Sequence, residues 1–331
     1  VINAGQATYV RVHYSQAGLA ALRGAFGRLG EDDQLGLLAD TQALALAGRL
    51  DMGELLELMR DVPVSVDRPA VAHLLVAQLR DLDQLHEGLP SQPAFRAWAR
   101  AVLQPFLRAV GEPRAGEDGD VRTLRVQLVE ALGVFGDPAV LAAAQESFAR
   151  YLQDADSLPA DRLEAVLAVV AVHADASTWE RLHALALAAP TELEKAELYE
   201  RLGEPRDPAL AQRALALAVS GEPPATVASR VLRAVGWAHP GETLDFMAGH
   251  WPQVEPLFGE GAGATIAARF FDTGADATLL PRLDAFVQAH VPAATRERIV
   301  KNAALIRYRA VVRTRRLPEA DRWVEARAAR A

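Results

Sequence analysis

The feature that most constrains this chain is a helical period broken at short, regular intervals. Apolar residues recur at three- and four-residue spacing in Leu35-Leu38 with Leu44 and Leu46, and in Val71-Leu74-Leu75-Leu79-Leu82. The same spacing returns in Leu124-Leu128-Leu132, Leu163-Val166-Val170 and Leu279-Leu283-Phe286. Each is the buried stripe of an amphipathic helix. Between the stripes stand stop and start signals: Gly48-Arg49-Leu50-Asp51, Gly111-Glu112-Pro113, Gly136-Asp137-Pro138, Glu204-Pro205, Asp207-Pro208, Gly221-Glu222-Pro223-Pro224 and His239-Pro240-Gly241. Glycine ends a helix because it tolerates positive φ. Proline in the first turn, behind an Asp cap, starts the next. The pattern predicts about seventeen helices, each about 10–20 residues long, joined by short turns. Short-linked helices pack as antiparallel pairs, and a long series of pairs builds an irregular α-solenoid of the HEAT or armadillo kind. A large irregular bundle is the rival all-α architecture.

One stretch departs from this pattern. Thr8-Tyr9-Val10-Arg11-Val12-His13-Tyr14 is β-branched and aromatic and reads as a short β-strand. A lone strand needs a partner, so it reads as the last strand of a sheet lying upstream. The organisation expected is therefore 1–14 as strand and connection, and 15–331 as a single helical domain. Residues 111–120 read as a surface loop.

Composition narrows the function. Of 331 residues, 50% are hydrophobic and 24% charged, the profile of a soluble globular chain. The net charge of −8 argues against nucleic acid, whose binders carry a basic footprint. The chain has no cysteine, which excludes disulfides, thiolate metal sites and a Cys nucleophile. No apolar run reaches the about 20 residues that span a bilayer, so no membrane partner is expected. With Val1 first, the chain reads as a mature form or an excised fragment. The bacterial cytoplasm and the periplasm both fit.

Catalytic motifs are absent from the sequence. The eight histidines form no H-E-x-x-H pair; His86-Glu87 runs into Gly88-Leu89-Pro90, which ends a helix. There is no G-x-S-x-G elbow, P-loop or G-x-G-x-x-G turn. Gly259-Glu260-Gly261-Ala262-Gly263 reads as a flexible turn, and Glu31-Asp32-Asp33 as an acidic helix start. No catalytic residue, metal ligand or cofactor is assigned to this chain. The outstanding charge feature is Arg296, Arg298, Lys301, Arg307, Arg309, Arg313, Arg315 and Arg316 against the single acid Glu297. On one helix at about 100° per residue, Arg298, Lys301, Arg309, Arg313 and Arg316 share a face. Ile299, Val300, Ala303, Ile306, Ala310 and Val311 lie opposite, and Arg296 and Arg307 fall among them, where a charge needs a partner. A basic lining of this kind suits an acidic group such as a peptide carboxylate.

Together these pieces resemble the helical C-terminal domain of M1 zinc aminopeptidases, the group that includes endoplasmic-reticulum and puromycin-sensitive aminopeptidases. Asn3, Tyr9, Arg11, Val12 and Tyr14 stand at the spacing of its opening N-x4-G-[YF]-Y-R-V-x-Y, with Thr8 for Gly and Val10 for the second aromatic. Asp33, Leu37, Asp40, Leu44 and Gly48 fit D-R-x-x-L-x-x-D-x-x-x-L-x-x-x-G, with Gln34 for Arg. Leu124-Arg125 with Gly133, then Ile299 and Asn302, and finally Trp323-Val324, follow in the family's order, with Leu305 where an aromatic is usual. The Ala/Arg-rich composition suggests a bacterial relative. The resemblance implies a non-catalytic domain that encloses the active-site chamber and helps select and orient peptide substrates. It implies zinc only in an upstream catalytic domain, and as partners that domain and a β-sandwich of the same polypeptide. The side chains expected to contact peptide are Arg307 and Arg309, with Arg230 and Arg233 of an earlier helix; Arg11 and Tyr14 read as structural. The alternative is a free-standing HEAT-like protein-interaction scaffold.

Overall fold

The computed structural model describes residues 2–259, 263–271 and 273–329. Among these the chain is all-helical, with eighteen α-helices, six short 3-10 turns and no strand. In order they are α1 (Gln16–Gly24), α2 (Glu31–Leu46), α3 (Met52–Arg60), α4 (Pro69–Leu85), α5 (Gln92–Val110) and α6 (Gly119–Val134). Then come α7 (Pro138–Tyr151), α8 (Ala160–Val172), α9 (Ala176–Ala188), α10 (Glu192–Arg201), α11 (Pro208–Ala218) and α12 (Ala225–Ala238). The last six are α13 (Pro240–Gly249), α14 (Trp251–Val254), α15 (Gly263–Ala267), α16 (Leu279–His290), α17 (Glu297–Arg315) and α18 (Leu317–Ala328). No single helix among the described residues is long and apolar enough to cross a membrane. The Gly-rich turn expected at Gly259–Gly263 lies mostly outside the described residues.

The punctuation read from sequence acts as local chemistry requires. Asp51, Asp118, Asp175 and Asp207 each accept a backbone N–H of the first turn of the following helix at 2.7–2.8 Å. Gly48, Gly111, Gly136 and Gly221 end the preceding segments at φ of 71°, 62°, 76° and 84°. The 111–120 loop is fixed from α6. Arg125 grips both oxygens of Glu117 at 2.7 and 2.6 Å and donates to the Gly111 carbonyl at 2.7 Å. The hydrogen bonding from Arg125 to the Glu117 carboxylate is the main reason that group lies below its ordinary range.

The chain divides into two compact units. The first comprises the chain up to Ala143, Leu158–Ala165 and the chain from Val312; the second comprises Ala144–Ser157 and Val166–Val311. In the first unit α2 packs on α3 and α4, α4 and α5 pack on α6, and α18 lies against α3 and α5. Leu38, Leu55, Leu75, Leu79, Leu103 and Leu128 form its fully buried centre. In the second unit α9 packs on α10, α10 and α11 on α12, and α12 on α13. Gly203 allows the α10–α12 approach, since a Cβ there would sit 2.8 Å from both the Ala234 Cβ and the Val231 carbonyl oxygen.

Residues 8–14, expected as a strand, join no ladder among the described residues. The backbone donors that a sheet would satisfy go to side chains instead. Thr8 N–H donates to Asn3 Oδ1 at 2.8 Å and Val12 N–H to Asp40 Oδ2 at 2.9 Å. Arg11 reaches Asp40 Oδ1 at 3.2 Å, and the Tyr14 hydroxyl accepts from Ile2 N–H at 3.0 Å. β-Propensity describes how a residue fits a paired, pleated surface, and without a partner it does not make a strand.

The end of the chain caps helices near its beginning. Arg316 donates to the carbonyls of Ala45 at 3.1 Å and Leu50 at 2.7 Å and pairs with Glu319. Glu319 in turn accepts the Met52 N–H at the start of α3, at 3.3 Å. Arg313 donates to the carbonyls of Leu85 and Glu87 at the end of α4. Below them Trp323 bonds Glu57 at 3.2 Å and meets the ring of Trp98 edge-on. Fully buried His86 lies between the Leu82 carbonyl at 2.7 Å and Asp321 at 3.1 Å, stacked on Phe95. Arg313 and Arg316, read from sequence as part of a basic face, therefore serve as helix C-terminal caps, where a cation is favoured.

In the second unit a polar network ties α9 and α10 to the turn before α12. One Glu222 oxygen lies 2.6 Å from His183 Nε2 and accepts the Tyr199 hydroxyl at 2.7 Å. Burial, then the hydrogen bond to Glu222 and its charge, push the Tyr199 phenol far above its ordinary range. Burial alone would raise the Glu222 carboxyl. The hydrogen bonds from His183 and Tyr199, with the charges of His183 and Lys195, outweigh it, so the group lies below its ordinary 4.5.

Two measurements check these points. Arg316→Ala leaves the Ala45 and Leu50 carbonyls and Glu319 without this partner, and is expected to cost about 2–3 kcal/mol in urea unfolding at constant m. A loss under about 0.5 kcal/mol would show that water replaces the cap. A depressed carboxyl stabilises above its unfolded pKa, and that stability is lost as pH falls through the folded value. Wild type should therefore exceed Glu222→Gln in melting temperature at pH 7, with the gap closing as pH falls below about 4.5. A gap that widens on acidification would contradict the assignment.

Candidate functional site

Helix α12 buries one face and exposes another. Val227, Ala228, Val231, Leu232 and Val235 are buried against its neighbours. Arg230, Arg233 and Trp237, at positions i, i+3 and i+7, share the outward face. The Trp237 side chain is 57% exposed, which is unusual for an indole unless it has a partner to meet. Arg233 reaches Glu200 of α10 at 2.8 Å, in an exposed pair. Arg230 is exposed and makes no hydrogen bond or ion pair among the described residues. The two arginines expected here thus lie together, and sequence reasoning missed the aromatic beside them. Its signal was a tryptophan seven residues after Arg230 in a chain with only five.

Helix α17 is turned differently from the sequence expectation. Ile299, Asn302, Ile306 and Ala310 are buried, whereas Val300, Leu305, Tyr308 and Val311 are exposed. Val300 and Val311, expected on the buried side, face outward, and Val312 is buried instead. Arg307, expected among buried apolar residues, is exposed beside Tyr308 and Val311. Arg309 is half-buried and donates Nε–H to the Thr273 carbonyl at 2.9 Å, holding the segment before α16. Arg307 and Arg309 therefore do not lie together on an exposed face as Arg230 and Arg233 do. Arg296 precedes the helix and caps α16, donating to the carbonyls of Gln288 and Val291 and to the Gln288 side chain. The Arg298 side chain lies outside the described residues.

Both faces are solvent-exposed helix surfaces. Each offers apolar area and guanidinium donors, a combination that recognises a carboxylate beside a hydrophobic group. The acids with perturbed pKa values are occupied structurally: Glu117 by Arg125, Glu222 by His183 and Tyr199, and Asp175 mainly by the Thr178 backbone N–H at the start of α9. Among the described residues no three His, Asp or Glu side chains gather closely enough to hold a metal ion.

Aminopeptidase M1 of Arabidopsis thaliana is 26% identical over 271 residues, covering 78% of this chain and 31% of that protein. Aminopeptidase M1-A of Oryza sativa subsp. japonica is 26% identical over 166 residues, 48% of this chain and 19% of that protein. The chain thus matches a third or less of these relatives. The family model described as the ERAP1-like C-terminal domain matches residues 1–305. With that match over nearly its whole length, the chain belongs to the ERAP1-like C-terminal domain family.

Proposed function

We propose that this chain is the non-catalytic C-terminal domain of an M1 zinc metallo-aminopeptidase, and that it encloses the active-site chamber and helps select and orient peptides. Family membership and the name aminopeptidase on both relatives support the parent activity. The chain's own residues do not fit a zinc site, having neither an H-E-x-x-H pair nor, among the described residues, a three-ligand group. Zinc would be held by residues of the same polypeptide outside this chain, alongside its catalytic and β-sandwich domains.

The observation that carries the peptide role is the Arg230–Arg233–Trp237 face. Trp237 offers a rigid apolar surface for a substrate side chain, and Arg230 a guanidinium for a carboxylate. The exposed Arg233–Glu200 pair is worth at most about 1 kcal/mol, so a peptide carboxylate can displace Glu200 at little cost. Arg307, exposed on α17, is the second proposed contact. Arg309 acts through Thr273, positioning the segment before α16.

In the parent enzyme, Trp237→Ala is expected to raise KM for peptides of about eight or more residues by about 3–10-fold, with dipeptide substrates unchanged. An unaltered length profile in a folded variant would remove the face from the site. The isolated chain should not hydrolyse aminoacyl reporter substrates with or without added zinc. Zinc-dependent turnover by pure material would overturn the reading, and a chain found without a peptidase partner would favour a free-standing interaction scaffold.

A further inference from the structure

A cavity of about 310 Å³ opens in the first unit between the end of α1, the segment from Val62 to Arg68, and α4 and α5. Its body is apolar, formed by Phe26, Val62, Pro63, Val71 and Phe106. Its polar groups are unusually available. Gln34 lines it and is 4% exposed. The Gln34 amide nitrogen donates to the Phe26 carbonyl at 2.8 Å. Only the NH₂ end of the amide can meet a carbonyl, so Oε1 is left as an acceptor with no partner among the described residues. Oε1 is open to the cavity, where a guest's donor can meet it.

Asp67 and Arg68 also line the cavity. The Asp67 carboxylate has no hydrogen bond or ion pair among the described residues. Arg68 uses Nη1 on the Leu29 carbonyl at 2.8 Å and does not pair with Asp67, which leaves the rest of its guanidinium open. Ser65 Oγ accepts the Asp67 N–H at 3.2 Å, so its hydroxyl proton remains to donate. An apolar guest would use none of these four groups. A simple anion would face Asp67 and the Gln34 oxygen, and a simple cation would face Arg68. A guest with both charges on one end and an apolar body on the other meets every group.

We propose that this cavity binds a free α-amino acid with a large apolar side chain. The α-ammonium lies between Asp67 and Gln34 Oε1, the α-carboxylate meets Arg68 and the Ser65 hydroxyl, and the side chain packs between Phe26 and Phe106. The volume is at the small end of ligand cavities, which run from about 300 to 1,000 Å³, and it suits one amino acid rather than a peptide. The site lies wholly within the first unit and is independent of the peptide-contact proposal.

Titration of the 331-residue chain by calorimetry or ligand-observed NMR tests this. L-Leucine or L-phenylalanine should bind saturably with Kd on the order of 1 mM, as expected for so small a ligand. Glycine and N-acetyl-L-leucinamide should bind at least tenfold more weakly. Asp67→Asn changes an exposed side chain and should leave the helical circular dichroism unchanged while weakening leucine binding about tenfold. Arg68→Gln should weaken it at least as much. Absence of saturable binding would overturn the proposal. So would equal affinity for N-acetyl-L-leucinamide, or unchanged binding in Asp67→Asn.

Discussion

The structure of the first unit depends on how buried helix ends are satisfied. An α-helix leaves four amides and four carbonyls without intrahelical partners, and packed ends cannot leave these to water. The turn between α2 and α3 and the end of α4 present such groups. Their partners lie 226 to 271 positions further along, on Arg313, Arg316 and Glu319. Leucines hold these helices together without specifying which surface the last helix meets. The two arginines and the glutamate, each with directional partners, give α18 a fixed seat on α3 and α5.

What was legible in the sequence was what local chemistry decides. Aspartate just before a helical stretch marks a helix start, and glycine at positive φ marks an end, because both act within one turn. Asp51, Asp207, Gly48 and Gly221 behave accordingly. Non-local choices were hidden. Residues 8–14 carry strand-forming side chains, yet Asn3 and Asp40 satisfy their backbone. Helix α17 has apolar residues on both sides, and only tertiary packing decided that Ile299 and Ile306 would be covered while Val300 and Val311 would not.

The same division runs through the candidate sites. Arg230 and Arg233 were visible as a basic helix face. Trp237 was not, since a lone tryptophan in an aromatic-poor chain reads as core, as Trp179 and Trp251 in fact are. The amino-acid cavity draws its walls from segments as distant as Phe26 and Phe106, so no spacing in the sequence announces it. Arg125, by contrast, was legible as part of Leu124-Arg125, and the structure shows it holding Glu117 and the Gly111 carbonyl.

The proposed role of this domain rests on what it presents, and the face of α12 presents an exposed indole beside two guanidinium groups. The most direct test is photo-crosslinking in the parent enzyme, with a peptide of about nine residues carrying a photoreactive group near its C-terminus. Adducts should map by mass spectrometry to the outward face of α12 around Arg230, Arg233 and Trp237, and an excess of unlabelled peptide should suppress them. Competable adducts that form only elsewhere, with α12 unlabelled, would contradict the assignment of peptide contact to this helix.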